Sequence, residues 1–136
     1  MKITVADNSG VCFGVRRAFS LLEEAVENAK KSAERNGITN ADFFCADSSQ
    51  LSALGIRPDA AIVDPPRKGL DERVVTDLAA LRPERIVYVS CNPATLARDL
   101  KRFEDRGYVL QQAEAFDMFP RTAHVETVVL MSRIQG

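Results

Sequence analysis

The 136 residues include 18 Lys and Arg against 19 Asp and Glu, a formal net charge of −1, and 46% hydrophobic residues. That length suits a single domain over residues 1–136, with enough apolar side chains to bury a core and to exclude disorder. The balanced charge excludes a uniformly basic nucleic-acid binder, and no apolar run approaches the roughly 18 residues of a membrane span. Three cysteines, Cys12, Cys45 and Cys91, form no Cys-x-x-Cys pair, so neither a disulfide framework nor a metal site is expected. The expected setting is the reducing cytoplasm.

In chain order, Met1–Ala6 is a short apolar strand that ends in the turn-forming run Asp7-Asn8-Ser9-Gly10. From Val15 the spacing of Phe19, Leu22, Val26, Ala29 and Ala33 predicts a long helix, stopped by Asn36-Gly37. Ala41–Cys45 reads as a strand and Gln50–Leu54 as a short helical segment. Ala60–Val63 is a continuous apolar strand, closed by Asp64-Pro65-Pro66. Glu72–Leu81 has helical spacing and ends before Pro83. Arg85–Val89 is another buried strand, followed by Ser90-Cys91-Asn92-Pro93 and a helix through Phe103. Gly107 to Phe116 and Val125 to Met131 are the last two strands, with no helix between them.

Strands alternating with helices predict an α/β three-layer sandwich around a mostly parallel sheet of about six strands, with an antiparallel edge. Met1–Ala6 is expected inside that sheet, beside Ala60–Val63. In such sheets ligands gather at the carboxyl ends of the parallel strands. The polar residues there are Asp7, Asp47, Asp64 and Cys91. Ordinary turn chemistry also explains acids at these positions. The two prolines after Asp64 make its corner rigid, which holds that acid in place.

Cys91 ends a strand just before Pro93, a residue favoured at the first helical position. Helix N-terminal amides favour a thiolate there; a buried small residue is the alternative. Cys45 lies within an apolar strand and reads as core. Alternation sets His124 and Glu126 on one face, where either is a candidate base. Arg67, Lys68, Arg98, Lys101 and Arg102 supply local positive charge, either as phosphate contacts or as solvated helix faces.

From about Val26 onward the sequence resembles the catalytic domain of the RNA uracil-C5 methyltransferases, the TrmA/RumA family. The resemblance rests on Val26–Lys30 with Asn36-Gly37, Asp64-Pro65-Pro66-Arg67-Lys68-Gly69, Ser90 to Asp99, Phe119-Pro120 and Thr122 to Thr127. Arg121 departs from the His or Gln more usual in that family. The resemblance implies a Rossmann-like class I methyltransferase fold, truncated at its N-terminal side, with S-adenosylmethionine as cofactor and rRNA or tRNA as partner. It further implies that Cys91 attacks uracil C6, that Glu126 removes the C5 proton, and that Asp64 and Asp47 lie at the cofactor.

Residues 1–25, through Asn8–Ala18, resemble instead the opening of the IspH/LytB diphosphate reductase of isoprenoid synthesis. There the cysteine matching Cys12 ligates an iron–sulfur cluster, whose other ligands have no counterpart here. Together the two resemblances imply a chimera in which a foreign strand–loop–helix replaces the methyltransferase's Gly-rich cofactor loop. S-adenosylmethionine binding is therefore expected to be weak or lost. The alternatives are a non-catalytic chimeric fold with an inert site and, last, an iron–sulfur reductase fragment.

Overall fold

A computed structural model of the chain describes residues 2–7, 15–47, 51, 55–118, 120–122 and 125–134. The chain divides into two compact units, Met1–Gln50 and Leu51–Gly136.

In the first unit, β1 (Lys2–Asp7) leads to α1 (Val15–Arg35) and back to β2 (Asp42–Asp47). The two strands pair in parallel over their full length, from Lys2 opposite Asp42 to Asp7 opposite Asp47. Val26 and Ala33 of α1, three residues before and four after the half-buried Ala29, are buried as their spacing predicts. The helix stops at Gly37, whose φ of +66° places it in the left-handed region that glycine enters without penalty. Gly37 N–H donates to the Glu34 carbonyl (3.1 Å) and Ile38 N–H to the Ala33 carbonyl (2.9 Å). These are the paired bonds of a Schellman cap.

The second unit contains β3 (Ala60–Val63), α2 (Glu72–Ala80), β4 (Arg85–Ser90), α3 (Pro93–Glu104), β5 (Tyr108–Phe116) and β6 (Glu126–Arg133). Its four strands lie in the order β3-β4-β6-β5. β3 and β4 are parallel, and β6 is antiparallel to both of its neighbours, β4 and β5. A bulge between Leu110 and Gln112 bends β5 at the sheet edge.

One expectation needs correction: among the described residues the four-stranded sheet of the second unit is mixed, with one parallel pairing, β3-β4, and two antiparallel ones, rather than mostly parallel. The last strand runs back antiparallel because residues 117–125, which join it to β5, are too few for the crossover of about a dozen or more residues that parallel pairing needs. The Gln50–Leu54 helical segment lies largely outside the described residues.

Alternation along β4 sends Ile86, Tyr88 and Ser90 to the buried side. Their register partners Met131 and Val129 join them, and α2 (Val75, Leu78) and α3 (Leu96, Phe103) cover that face. Tyr108 closes the core, with its ring edge-to-face on Phe103 at 6.0 Å and its hydroxyl donating to the Pro83 carbonyl at 2.9 Å. Such a ring pair contributes about 0.5–1.5 kcal/mol beyond its buried area.

Candidate active site

Strand register decides which side chains share an edge. Val63 lies opposite Tyr88, so Asp64 leaves β3 and Cys91 leaves β4 at the same, carboxyl, end of this parallel pair. Ser90 lies opposite Thr127, so one further step along the antiparallel ladder sets Cys91 across from Glu126, the first residue of β6. Neighbouring strands are about 4.8 Å apart. Asp64, Cys91 and Glu126 therefore lie at one edge of the sheet on three adjacent strands; Cys91 and Glu126 are half-buried and Asp64 is exposed.

The turn that carries Cys91 is braced on both sides. The buried Ser90 hydroxyl accepts from Asn92 N–H and donates to the Asn92 carbonyl, both at 3.1 Å, and so pinches the chain around Cys91. Asn92 in turn is the N-cap of α3: its backbone is extended, and its Oδ1 accepts from Ala94 N–H at 3.1 Å. Pro93 occupies the first helical position, as the sequence predicts.

The Asp64–Leu70 turn is fastened to the same helix. Gly69 N–H donates to the Pro66 carbonyl at 2.8 Å, and Gly69 has φ +76°. A Cβ there would collide with the Asp99 carboxylate and the Arg98 guanidinium, so glycine is required twice over. The Arg67 carbonyl accepts from Asn92 Nδ2 (3.2 Å) and Thr95 Oγ1 (3.1 Å). Arg98 donates to the carbonyls of Lys68 (2.8 Å) and Leu70 (3.3 Å), and Arg102 to that of Leu70 (3.0 Å).

Beneath these contacts lies Asp99, fully buried. Its Oδ2 accepts from Leu70 N–H and from the Tyr88 hydroxyl, both at 2.7 Å. Its Oδ1 accepts from Arg98 Nε (2.9 Å) and Arg102 (3.0 Å). Burial, joined by this hydrogen bond to Asp99, pushes the Tyr88 phenol well above its ordinary value.

The basic residues therefore divide. Arg98 and Arg102, candidate phosphate contacts in the sequence, are spent on Asp99 and on turn carbonyls. Lys101 pairs with Glu104 (3.0 Å) and Asp105 (3.1 Å), whose carboxylates raise its pKa, and Lys68 lies 3.7 Å from Asp71. Asp7 and Asp47 end β1 and β2 side by side in the first unit, and Cys45 lies within β2 opposite Val5. Arg121, with φ +69°, turns the chain ahead of Glu126. Cys12 and His124 lie outside the described residues. Among the described residues, no group of three or more His, Cys, Asp or Glu is arranged to hold a metal ion.

Asp99, Tyr88 and Thr95 are not singled out by strand-end reasoning, because none of them ends a strand. The signal that contains Thr95 and Asp99 is the Ser90–Asp99 motif itself, whose helical spacing sets Thr95, Arg98, Asp99 and, beyond it, Arg102 along the flank that meets the turn; Tyr88 lies outside it, within β4.

A family model described as tRNA (Uracil-5-)-methyltransferase matches residues 42–134. The chain belongs to that family. An uncharacterized RNA methyltransferase of Bacillus cereus is 48% identical over 119 residues, covering 85% of this chain and 26% of the relative. One from Clostridium acetobutylicum is 41% identical over 138 residues, covering 98% of this chain, the opening segment included, and 29% of the relative. The crystal structure of Pyrococcus abyssi tRNA (uracil-54, C5)-methyltransferase in complex with S-adenosyl-L-homocysteine superposes with a TM-score of 0.70 at 43% identity. That match covers 80% of this chain and 26% of the other. The chain thus spans about a quarter of the length of these family members.

Proposed function

We propose that the chain is the catalytic portion of an S-adenosylmethionine-dependent RNA uracil-C5 methyltransferase acting on tRNA or rRNA in the cytoplasm. Cys91 and Glu126 are its reacting groups. The observation that carries this reading is the register that sets a half-buried thiol across from a half-buried carboxylate, with Asp64 one strand away. Family membership and the S-adenosyl-L-homocysteine bound to the Pyrococcus abyssi relative support the cofactor. No helix among the described residues is long and apolar enough to cross a membrane.

The residue chemistry fits the cofactor in one respect visible at the site: Asp64 is an exposed carboxylate on a proline-fixed corner, able to accept from an ammonium or hydroxyl group. Asp47, at the end of β2, is the second proposed cofactor contact. S-adenosylmethionine supplies an electrophilic methyl group. Cys91, as thiolate, adds to uracil C6 and makes C5 nucleophilic. After C5 has gained the methyl group it still bears its hydrogen. Glu126 takes that proton, the C5–C6 double bond re-forms, and the Cys91 sulfur leaves as thiolate. The turn bonds of Ser90 and Asn92 hold Cys91 in place throughout.

The opening segment bears on completeness. Residues 8–18 carry the reductase resemblance, whereas the alignment that spans 98% of the chain supports reading residues 1–25 together with the methyltransferases. The test is methyl transfer from labelled S-adenosylmethionine to unmodified tRNA and rRNA, run beside calorimetric titration of the cofactor. Transfer by the native chain that is lost in Cys91→Ala, with cofactor binding retained, supports the proposal. Absence of cofactor binding and of transfer overturns it in favour of an inert inherited site.

A further inference from the structure

We propose that Asp99 is a positioning residue whose buried carboxylate sets the Pro66–Leu70 turn, and with it the relation of Asp64 to the Cys91 turn. The catalytic consequence rests on the methyltransferase reading above; the geometric content does not.

A carboxylate excluded from water must be fully hydrogen-bonded and charge-paired, and Asp99 is both. Its two oxygens have separate duties. Oδ2 faces the sheet and the turn, and joins the hydroxyl of Tyr88 in β4 to the backbone N–H of Leu70. Oδ1 faces solvent-side cations and orients Arg98 and Arg102, which carry their remaining N–H groups onto the Lys68 and Leu70 carbonyls. The backbone of residues 68–70 is thus held directly by Asp99 or by guanidinium groups that Asp99 orients. The adjoining Arg67 carbonyl is held by Asn92, the residue that follows Cys91.

A core built for stability alone has no need of this arrangement. An apolar side chain at position 99 would avoid desolvating a charge, and replacing buried ion pairs by apolar residues is often neutral or stabilising. An apolar residue has no direction, however. The carboxylate fixes two strand-end turns relative to one helix, and those are the turns that carry Asp64 and Cys91.

The experiment uses the full chain and needs neither RNA nor cofactor, so a failure of the methyltransferase reading leaves its outcome interpretable. Amide hydrogen exchange is followed at Leu70 and at Leu78 in α2, and iodoacetamide alkylation of Cys91 is timed by mass spectrometry. In Asp99→Ala, Leu70 exchange is expected to rise by about tenfold or more over any change at Leu78, and the Cys91 rate to change by about threefold or more. Asp99→Asn keeps one acceptor for Leu70 N–H but turns an NH2 donor towards Arg98 and Arg102, and is expected to return Leu70 exchange only part of the way to the native value. Leu70 and Leu78 rising together, or an unchanged Cys91 rate, overturns the proposal. If Asp99→Ala does not fold, Arg98→Ala, at a side chain 43% exposed, is read by the same two measurements and the same criteria.

Discussion

Leu70 N–H donates to Asp99 Oδ2 at 2.7 Å across 29 residues of sequence, tying the turn after β3 to the second turn of α3. Two of the motifs that carry the family resemblance, Asp64–Gly69 and Ser90–Asp99, are therefore one structural unit. Neither can shift without straining bonds made by the other.

Gly69 is the tightest point of that unit. Alanine at this position pays the left-handed backbone penalty of about 1–2 kcal/mol and also displaces the Asp99 carboxylate or the Arg98 guanidinium from its partners. Losing one charge-assisted hydrogen bond adds about 1.5–3 kcal/mol. Gly69→Ala is expected to destabilise the chain by about 3 kcal/mol or more. Urea denaturation followed by circular dichroism measures this; a change under about 1 kcal/mol would mean that the turn relaxes freely.

Asn92 does two jobs, capping α3 and holding the Arg67 carbonyl. A lost N-cap alone costs about 1 kcal/mol. Asn92→Asp keeps the capping oxygen and loses the amide donor, whereas Asn92→Ala loses both. The expected order of stability is native, then Asn92→Asp, then Asn92→Ala, read from the same denaturant midpoints. Equal midpoints for the two variants would show that the cap is not used.

The two tyrosines make alkaline pH informative. Burial raises the Tyr108 phenol, and burial together with the Asp99 hydrogen bond raises Tyr88. A folded-state value above the unfolded one, about 10 for a free phenol, means that the stabilisation is complete below that pH. It is lost as the pH rises further, because only the unfolded chain ionises readily. Tyrosinate absorbance is expected to appear together with loss of the circular dichroism signal. Tyrosinate forming near pH 10 in a chain that stays folded would contradict the burial of both rings.

Element existence was largely legible from residue pattern, and for identifiable reasons. Apolar β-branched runs such as Ala60–Val63 and Arg85–Val89 can be little else, and the Asn36-Gly37 stop carries its own mechanism. The strand order β3-β4-β6-β5 was not legible, because strands that look alike in isolation do not name their neighbours. Of the candidate site, the strand-end residues Asp64 and Cys91 follow from topology, whereas Glu126, at the start of its strand, comes from alternation with His124 and from the family resemblance. Asp99 does not follow from topology: one aspartate on a charged helix gives no sign that it is buried until the turn that covers it is known. For the same reason the sequence leaves Arg98 and Arg102 open between phosphate contact and solvated face, since a guanidinium facing a carboxylate and one facing phosphate have the same sequence.

The last prediction separates the two reacting groups proposed at the shared edge. If Cys91 adds to C6 and Glu126 removes the C5 proton, their losses have opposite signatures. Cys91→Ala has no nucleophile, so it forms neither methylated RNA nor a protein–RNA bond. Glu126→Gln keeps the nucleophile, and its amide has a similar shape but no useful basicity. The C5 proton then stays in place, the C5–C6 double bond cannot re-form, and Cys91 remains attached to the base. The expected outcome, with S-adenosylmethionine and substrate RNA present, is a covalent adduct that survives denaturing electrophoresis in Glu126→Gln. Turnover in that variant should fall by about 10²–10⁴-fold, the usual contribution of a positioned base. The double variant should form no adduct, which assigns the bond to Cys91. Adduct formation by Cys91→Ala, or full turnover by Glu126→Gln, would reassign the nucleophile or the base respectively. The register of β4 against β6 would then be only an architectural feature of the sheet edge.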